Sequence, residues 1–555
     1  MPHDLQYDHF IASLPDNKLK NRYSNSIPYD HSRVVLDPSD SSEGDYINAS
    51  YIDGYENPSS YIATQGPLSQ TAADFWRMVW QENSSVIVML TGLVEQEKVK
   101  CEQYWPEQME TYQGITVRLC DVQQTPQVIV RTLELEARGS AEKRTVSHFH
   151  YLPWPDHGLP KAPIGLVRFI LQVNQSTSVE AGPVVVHCSA GIGRTGTFIA
   201  LGYLLEMAKA EGKVNVFQCV RKMRKKRVNM VQTQGQYEFL YDALLEALLC
   251  EDTGISAQNI QLHIQGLEEV DSAELSGYAR EFQKLEHFCT VYHPQECREA
   301  LKPANKPKNR NLNILPAEDV RTTLMSLTNS DGLPAYINAI FLSNTSFPVL
   351  NVYGCTQPTL DEPGQGGWRY VCIVSSTSLT RNLSPIQILF LQSYPVFWPE
   401  SGESQYGPFH VKLNSETGAA GFTVRTLTLT NTKNTRHRNV TVFLLQNWPM
   451  QEPVPESPRV ILSMLEEVES RQQAEEDSHT LVTCWDGASR CGLFCAASVV
   501  CEQIREEGLV DVFQAVKTIR RSRPQLLRDP QQYRFCYEVA KTQLDGVVDS
   551  TSNEL

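Results

Sequence analysis

The chain has no run of about 18 apolar residues, the length a helix needs to cross a bilayer, so nothing in it is expected to span a membrane. Its first residues, MPHDLQYDHF, lack the basic-then-apolar pattern of a secretory signal. Positive charge is in short supply. Against 64 Asp and Glu stand 49 Lys and Arg, a formal net charge of −15, which argues against nucleic acid as a partner. Fourteen cysteines are present, but without paired or zinc-ligand spacing, and no metal or cofactor is called for. Free thiols suit a reducing compartment, so the cytoplasm is the expected location. The remaining balance is that of an ordinary globular protein, 41% hydrophobic and 20% charged. At 555 residues the chain is too long for one ordinary domain, and two or three are expected.

The most informative segment is VVVHCSAGIGRTGTFIA, residues 184–200. Val184, Val185 and Val186 suit a core strand, and helical apolar spacing begins at Thr195. Between them Gly191 and Gly193 permit a tight curl, in which Ser189, Ala190 and Ile192 also lie. In such a curl backbone N–H groups converge, and the helix N-terminus adds its positive end. Cys188 stands at the mouth of this anion cradle, and Arg194 can close over the anion with a planar fork. Thiols among such donors favour the thiolate, the nucleophilic form. His187 and the hydroxyl of Thr195 are placed to help hold it.

The sequence also repeats itself. Lys308-Asn309-Arg310 echoes Lys20-Asn21-Arg22, and Tyr336 to Ala339 echoes Tyr46 to Ala49. Phe397-Trp398-Pro399 echoes Tyr104-Trp105-Pro106, Trp448-Pro449-Met450 echoes Trp154-Pro155-Asp156, and Cys484-x5-Arg490 echoes Cys188-x5-Arg194. From each Cys to a later Gln-Tyr pair is 48 residues in both halves, 188 to 236 and 484 to 532. The expected organisation is a first domain over 1–250, a connector with helical content over 251–276, a second domain over 277–547 and a disordered tail over 548–555. Between the cradle helix and Gln232 lies a basic run, Arg221, Lys222, Arg224, Lys225, Lys226 and Arg227. Its plain reading is a solvated helix face. The sharper one is attraction of acidic phosphopeptides or the inner membrane leaflet.

The string HCSAGIGRTG resembles the active-site loop of the protein tyrosine phosphatases. Further motifs carry the resemblance in order: Asn17-Lys18 with Lys20 to Tyr23, Asp45 to Ala49, Gln65-Gly66-Pro67, Trp154-Pro155-Asp156, and Gln232-Thr233 with Gln236-Tyr237. It implies an α/β fold, occurring twice, each a twisted mixed sheet flanked by helices. It also implies hydrolysis of phosphotyrosine-containing proteins in two steps. Cys188 would be the nucleophile, Arg194 the phosphate clamp, Asp156 the acid and then the base, and Gln232, supported by Gln236, the water positioner. Glu95 aligns with the acid that braces the arginine and Lys100 with a lysine near the acid loop, although either could be an ordinary surface ion pair. Tyr23 is implied to gauge cleft depth and so favour phosphotyrosine over phosphoserine.

The second copy departs from that pattern. His187 becomes Thr483, Ala190 becomes Asp486, Gly193 becomes Ser489 and Thr195 becomes Cys491. Met450 replaces the acid, Asn311 replaces Tyr23, Arg528 replaces Gln232 and Ser393 stands for Lys100. A carboxylate inside the cradle and a missing acid predict a silent, regulatory second domain, with a redox role for Cys484 and Cys491 as a weaker reading. Active-then-degenerate tandems resemble the cytoplasmic half of receptor-type tyrosine phosphatases. The stretches KPKNRNLNILP, FCAASVVCEQI and VDVFQAVKTIR are most similar to the MAM-domain (mu/kappa/rho) subgroup. Two rivals stay open: a scaffold that binds phosphotyrosine proteins without turnover, and a dual-specificity or lipid phosphatase, against which Tyr23 argues.

Overall fold

The computed structural model describes residues 7–37, 44–155, 158–160, 162–178, 180–250, 252–271, 274–289, 292–328, 334–342, 352–356, 368–373, 398–406, 409–419, 421–432, 437–445, 448–449, 451–473 and 479–552. The chain divides into two compact units, Met1–Asp252 and Thr253–Leu555.

The strands of the first unit are β1 (Arg33–Val35), β2 (Tyr46–Ile52), β3 (Tyr61–Thr64), β4 (Val86–Met89), β5 (Met109–Tyr112), β6 (Ile115–Gln124), β7 (Val128–Ala137), β8 (Lys143–Tyr151) and β9 (Val184–His187). They form a nine-stranded sheet in the order β1-β2-β3-β9-β4-β8-β7-β6-β5. Its centre is parallel, β9 pairing with β3 and β4, and β4 with β8. The flanks are antiparallel hairpins.

A central strand covered on both faces must be apolar at every position, and the side-chain period of two sorts its residues between the layers. Val184 and Val186 enter one core with Val86, Val88, Tyr61 and Ala63, while Val185 enters the other with Ile87, Met89 and Ile62. Four helices cover the first face: α2 (Pro163–Gln175), α3 (Gly193–Glu211), α4 (Val216–Lys226) and α5 (Gln234–Leu245). The helix α1 (Ala72–Gln81), with Phe75, Trp76 and Val79 inward, covers the second. Cys188 therefore emerges from the middle of the sheet at the C-terminal end of β9, where the topology places helix N-termini and loops.

The second unit repeats the plan with β10 (Arg321–Thr328), β11 (Pro334–Leu342), β12 (Val352–Thr356), β13 (Trp368–Ile373), β14 (Glu403–Tyr406), β15 (Phe409–Ala419), β16 (Phe422–Asn431), β17 (His437–Leu445) and β18 (His479–Thr483). Their order, β10-β11-β12-β18-β13-β17-β16-β15-β14, is that of the first sheet with every number raised by nine. Residues read as a connector are structured with this unit. Ile255–Ser256 pairs antiparallel with Leu509–Val510, Thr253 Oγ1 donates to Asp511 Oδ1 at 2.8 Å, and a helix spans Ile260–Glu268. The last helix runs Pro530–Ser552, into the stretch read as a disordered tail. Among the described residues no helix is long and apolar enough to cross a membrane.

Candidate active site

The loop from His187 to Gly193 makes the expected curl between β9 and α3. Gly191 has φ +70°, and a Cβ there would lie 2.2 Å from the Thr64 carbonyl oxygen, so only glycine fits. Cys188 is 5% exposed at the base of the curl. Arg194 is pinned by a two-pronged pair to Glu95, Nη1–Oε1 at 2.7 Å and Nη2–Oε2 at 3.0 Å. It also donates to the carbonyls of Leu90 and Pro155 at 3.0 and 3.1 Å. Glu95 is itself fixed by the N–H of Gly92 at 3.0 Å and the hydroxyl of Thr91 at 3.2 Å. Such an arginine loses little freedom when an oxyanion arrives.

Tyr23 stands at the mouth, its hydroxyl 3.0 Å from Ser189 Oγ, with the ring partly exposed. Its loop is locked behind it: Arg22 N–H donates to Gln65 Oε1 at 2.9 Å, and Asn21 Oδ1 accepts from Asn48 at 2.9 Å and Tyr46 at 2.5 Å. Gln232 and Gln236 reach the opposite wall. A Cβ on Gly193 would meet the Gln236 amide at 3.0 Å and Gln232 Oε1 at 3.1 Å. Gln236 Oε1 accepts from the N–H groups of Gln232 at 2.9 Å and Thr233 at 3.3 Å, fixing the turn that presents Gln232. The Thr195 hydroxyl is fully buried and has no hydrogen-bond partner among the described residues. Lys100 lies just after the hairpin that carries Glu95, its N–H donating to Leu93 C=O at 2.8 Å. Asp156 lies outside the described residues. Pro155 C=O is held by Arg194, and Trp154, 4% exposed, donates from Nε1 to Gly158 C=O at 3.1 Å.

His187 meets a hydrogen-bond partner at each ring nitrogen. Its ring is buried among polar partners, Nε2 lying 2.7 Å from Tyr104 Oη and Nδ1 3.3 Å from Cys188 C=O. Tyr104 Oη continues to His148 Nε2 at 2.8 Å, and His148 Nδ1 lies 3.3 Å from Arg131 Nη1. The fixed ends assign the protons, because a carbonyl only accepts and a guanidinium only donates. His187 Nδ1–H thus donates to Cys188 C=O, Tyr104 O–H to His187 Nε2, His148 Nε2–H to Tyr104, and Arg131 to His148 Nδ1. Both imidazoles are neutral in this chain. Burial pushes His187 down to about 3 and His148 well below its ordinary value. His187 therefore orients the backbone of the loop.

The basic run needs the larger correction. Arg227 follows the end of α4 and is fully buried behind the cradle. It donates to Gly191 C=O at 2.8 Å, Ala190 C=O at 3.2 Å, Asn48 Oδ1 at 2.7 Å and Ser50 Oγ at 3.1 Å. Arg224 turns inward as well, to the carbonyls of Met230 at 2.9 Å and Val231 at 2.5 Å. Only the remainder of the run forms a solvated face. The sequence held one signal for this: Arg523 follows Cys484 by 39 residues, as Arg227 follows Cys188.

In the second unit Asp486 fills the cradle. Its Oδ1 accepts the N–H groups of Ala488 at 2.9 Å and Ser489 at 3.1 Å and the thiol of Cys484 at 3.1 Å, while Oδ2 accepts the Ser489 hydroxyl. Burial works to raise its pKa, but the bonds from Ser489, Ala488 and Cys484 outweigh it and leave the carboxyl below its ordinary range. Cys491 Sγ lies 3.2 Å from Cys484 Sγ. Arg490 donates to Pro449 C=O at 2.7 Å and lies over the Trp448 ring at 4.6 Å. Asn311 Oδ1 is turned back onto its own loop, accepting Asn313 N–H at 2.9 Å, and Arg528 is exposed. Met450, Ser393 and Phe397 lie outside the described residues. Among the described residues no group of three His, Cys, Asp or Glu side chains is placed to hold a metal ion.

The profile of the Protein-tyrosine phosphatase family matches residues 17–246 and again 305–542. The chain belongs to the protein-tyrosine phosphatase family. Curated relatives are receptor-type. The chain is 39% identical over 533 residues to receptor-type tyrosine-protein phosphatase S of Gallus gallus, covering 95% of the chain and 35% of that relative. Receptor-type tyrosine-protein phosphatase F of Danio rerio and that of Bos taurus are each also 39% identical over 533 residues, 95% of the chain and 28% of each relative. The chain thus spans about a third of the length of the curated relatives it matches. As a tandem member of the phosphatase family it carries two copies of one fold, the first with an open cradle and the second with a carboxylate in it.

Proposed function

We propose that the first unit hydrolyses phosphotyrosine in proteins through a phosphocysteine intermediate, and that the phosphatase domain of the second unit, residues 277–547, is catalytically silent and regulatory. The observation that carries the reading is the site itself, a buried cysteine at the base of a glycine-bearing curl with Arg194 braced by Glu95 and Tyr23 at the rim. The Cys188 thiolate attacks phosphorus as the tyrosyl C–O–P bridge breaks on its phosphorus side. Asp156 gives its proton to the departing phenolate, which leaves better as a phenol. Arg194 follows the equatorial oxygens with its fork, and the Thr195 hydroxyl donates to the sulfur when it leaves as thiolate. Water held by Gln232 then loses its proton to Asp156 and attacks the P–S bond, releasing phosphate and restoring the thiolate. Tyr23 stacks on the substrate ring and sets a depth that phosphoserine does not span. In the second unit Asp486 blocks the phosphate seat and Met450 offers no proton.

The receptor-type names of the relatives support a cytoplasmic place for this chain, near the inner leaflet if a membrane span is attached. The stretches KPKNRNLNILP, FCAASVVCEQI and VDVFQAVKTIR support the mu/kappa/rho subgroup. Turnover of a phosphotyrosyl peptide by the full chain tests the assignment. Activity should vanish in Cys188→Ser and persist in Cys484→Ser. Asp156→Ala should lower kcat by roughly 10²–10⁴-fold and retain phosphotyrosyl proteins from a lysate. A folded wild-type chain without turnover would sink the enzyme in favour of a binding scaffold.

A further inference from the structure

Each carbonyl from His187 to Gly191 accepts a hydrogen bond. His187 C=O accepts from Leu90 N–H at 3.0 Å, Ser189 C=O from Gly66 N–H at 3.0 Å, and Cys188 C=O from the His187 ring at 3.3 Å. The carbonyls of Ala190 and Gly191 are both held by Arg227. In a planar trans peptide the C=O of one residue and the N–H of the next point in opposite directions. A grip on the carbonyls of Ala190 and Gly191 from behind therefore turns the N–H groups of Gly191 and Ile192 toward the mouth. One side chain sets two of the donors an oxyanion would meet.

The charge of that side chain is also unusual. All four partners of Arg227 are neutral, two backbone carbonyls, an amide and a hydroxyl, and no carboxylate pairs with it among the described residues. Burial pushes its pKa down to about 10, and Cys188 is among the groups that raise it. A buried cation without a counter-ion is costly. An anion seated in front of it relieves that cost.

We infer that Arg227 is a positioning residue for the oxyanion: its fork aims the N–H groups of the cradle and its charge awaits the phosphate from behind, opposite Arg194. The second unit supports this independently. There Arg523 is likewise fully buried and donates to Gly487 C=O at 2.7 Å and Asn338 Oδ1 at 2.7 Å, and there the cradle does hold an anion, Asp486. The inference takes its physiological meaning from the phosphatase reading, but its test needs no turnover.

The test is calorimetric titration of the full chain with tungstate, a tetrahedral oxyanion. Wild type should bind at one site per chain. Arg227→Met should raise Kd at least ten-fold, and Arg227→Lys, which keeps the charge and loses the fork, at least three-fold. A merely structural role would lower the number of competent sites and leave Kd unmoved. Kd within two-fold of wild type in the methionine variant overturns the inference, and so does a wild-type Kd in the lysine variant. Should the methionine variant fail to fold, the lysine variant decides alone. Wild-type chain that does not bind tungstate also overturns it. Binding without turnover of phosphotyrosine refutes the phosphatase reading and leaves the role of Arg227 standing.

Discussion

In the first unit Asn21 Oδ1 accepts from Tyr46 and Asn48, and in the second Asn309 Oδ1 accepts from Tyr336 and Asn338. Arg227 and Arg523 grip the same loop carbonyl, and Arg194 and Arg490 the same proline carbonyl before the acid position. Val231 and Leu527 hold the same left-handed φ, at +57° and +53°, against Gly196 and Gly492. These kept bonds mostly face away from the mouth. The changes line it: Asp486 for Ala190, Ser489 for Gly193, Cys491 for Thr195 and Asn311 for Tyr23. Scaffold and chemistry are therefore separable here, because, the Arg194 and Arg490 bonds apart, the hydrogen bonds that build the curl use groups other than those that would meet a ligand.

If that is so, the second cradle is an anion site that is already filled, and emptying it should reopen it. Asp486→Ala restores the residue of the first unit at this position. The N–H groups of Ala488 and Ser489 then lack a partner, and Arg490 faces an open seat. Charge-assisted bonds to such groups are each worth about 1.5–3 kcal/mol. Titration of the variant full chain should therefore show two tungstate sites per chain where wild type shows one, the new site gaining on the order of 100-fold in affinity. Adding Arg490→Ala should remove it. One site per chain in a folded Asp486→Ala variant would mean that Ser489 has reshaped the curl and that the scaffold was not conserved after all.

A second contrast lies in the buried imidazoles. Burial holds His187 near 3 and His150 near 4, below the value of about 6.5 they have when unfolded. The unfolded chain therefore takes up protons first, and stability is full above pH ~6.5 and falls as pH drops toward those folded values. Each such histidine contributes a loss of about 1.4 kcal/mol per pH unit within its window. The second unit has Thr483 in place of His187. His187→Thr should lower first-unit stability at pH 7, through loss of the Tyr104 bond, and flatten its decline between pH 6 and 4. The urea midpoint for loss of turnover reads the first unit alone on the proposed assignment. An unchanged slope would show that His187 is not the group that charges on unfolding.

These contrasts also mark what the sequence could reveal. The strand, the curl and the helix around Cys188 were legible because β-branched residues, glycines and helical spacing follow one another without interruption. The tandem architecture was legible because spacing survives where identity does not, as between Cys188–Gln236 and Cys484–Gln532. Arg227 was not, since a cation at the end of a basic run looks solvated until Asn48 and Ser50, about 180 residues earlier, are brought to it by β2. The turn of His187 toward Tyr104 was hidden for the same reason, its partners being 83 residues away or on another strand. The position of Asp486 marked a carboxylate in the cradle. That it is held by the cradle's own donors required coordinates.

The smallest contrast is at the rim. Tyr23→Asn gives the first unit the residue of the second, removing a ring that is 38% exposed and whose hydroxyl meets Ser189. Aromatic stacking on a substrate ring is worth about 1 kcal/mol. KM for a phosphotyrosyl peptide should therefore rise roughly five-fold with kcat nearly unchanged, because Cys188, Arg194 and Glu95 are untouched. Turnover of a phosphoseryl peptide, which cannot use the ring, should not fall. The reverse change sharpens the point. Asn311→Tyr alone should add nothing to phosphotyrosine binding by the second unit, since Asp486 keeps the phosphate out. Combined with Asp486→Ala it should strengthen binding by the same few-fold. Equal effects of Asn311→Tyr with and without Asp486 would mean that rim and cradle act independently. The ring could not then be a gauge of how deeply a phosphate sits.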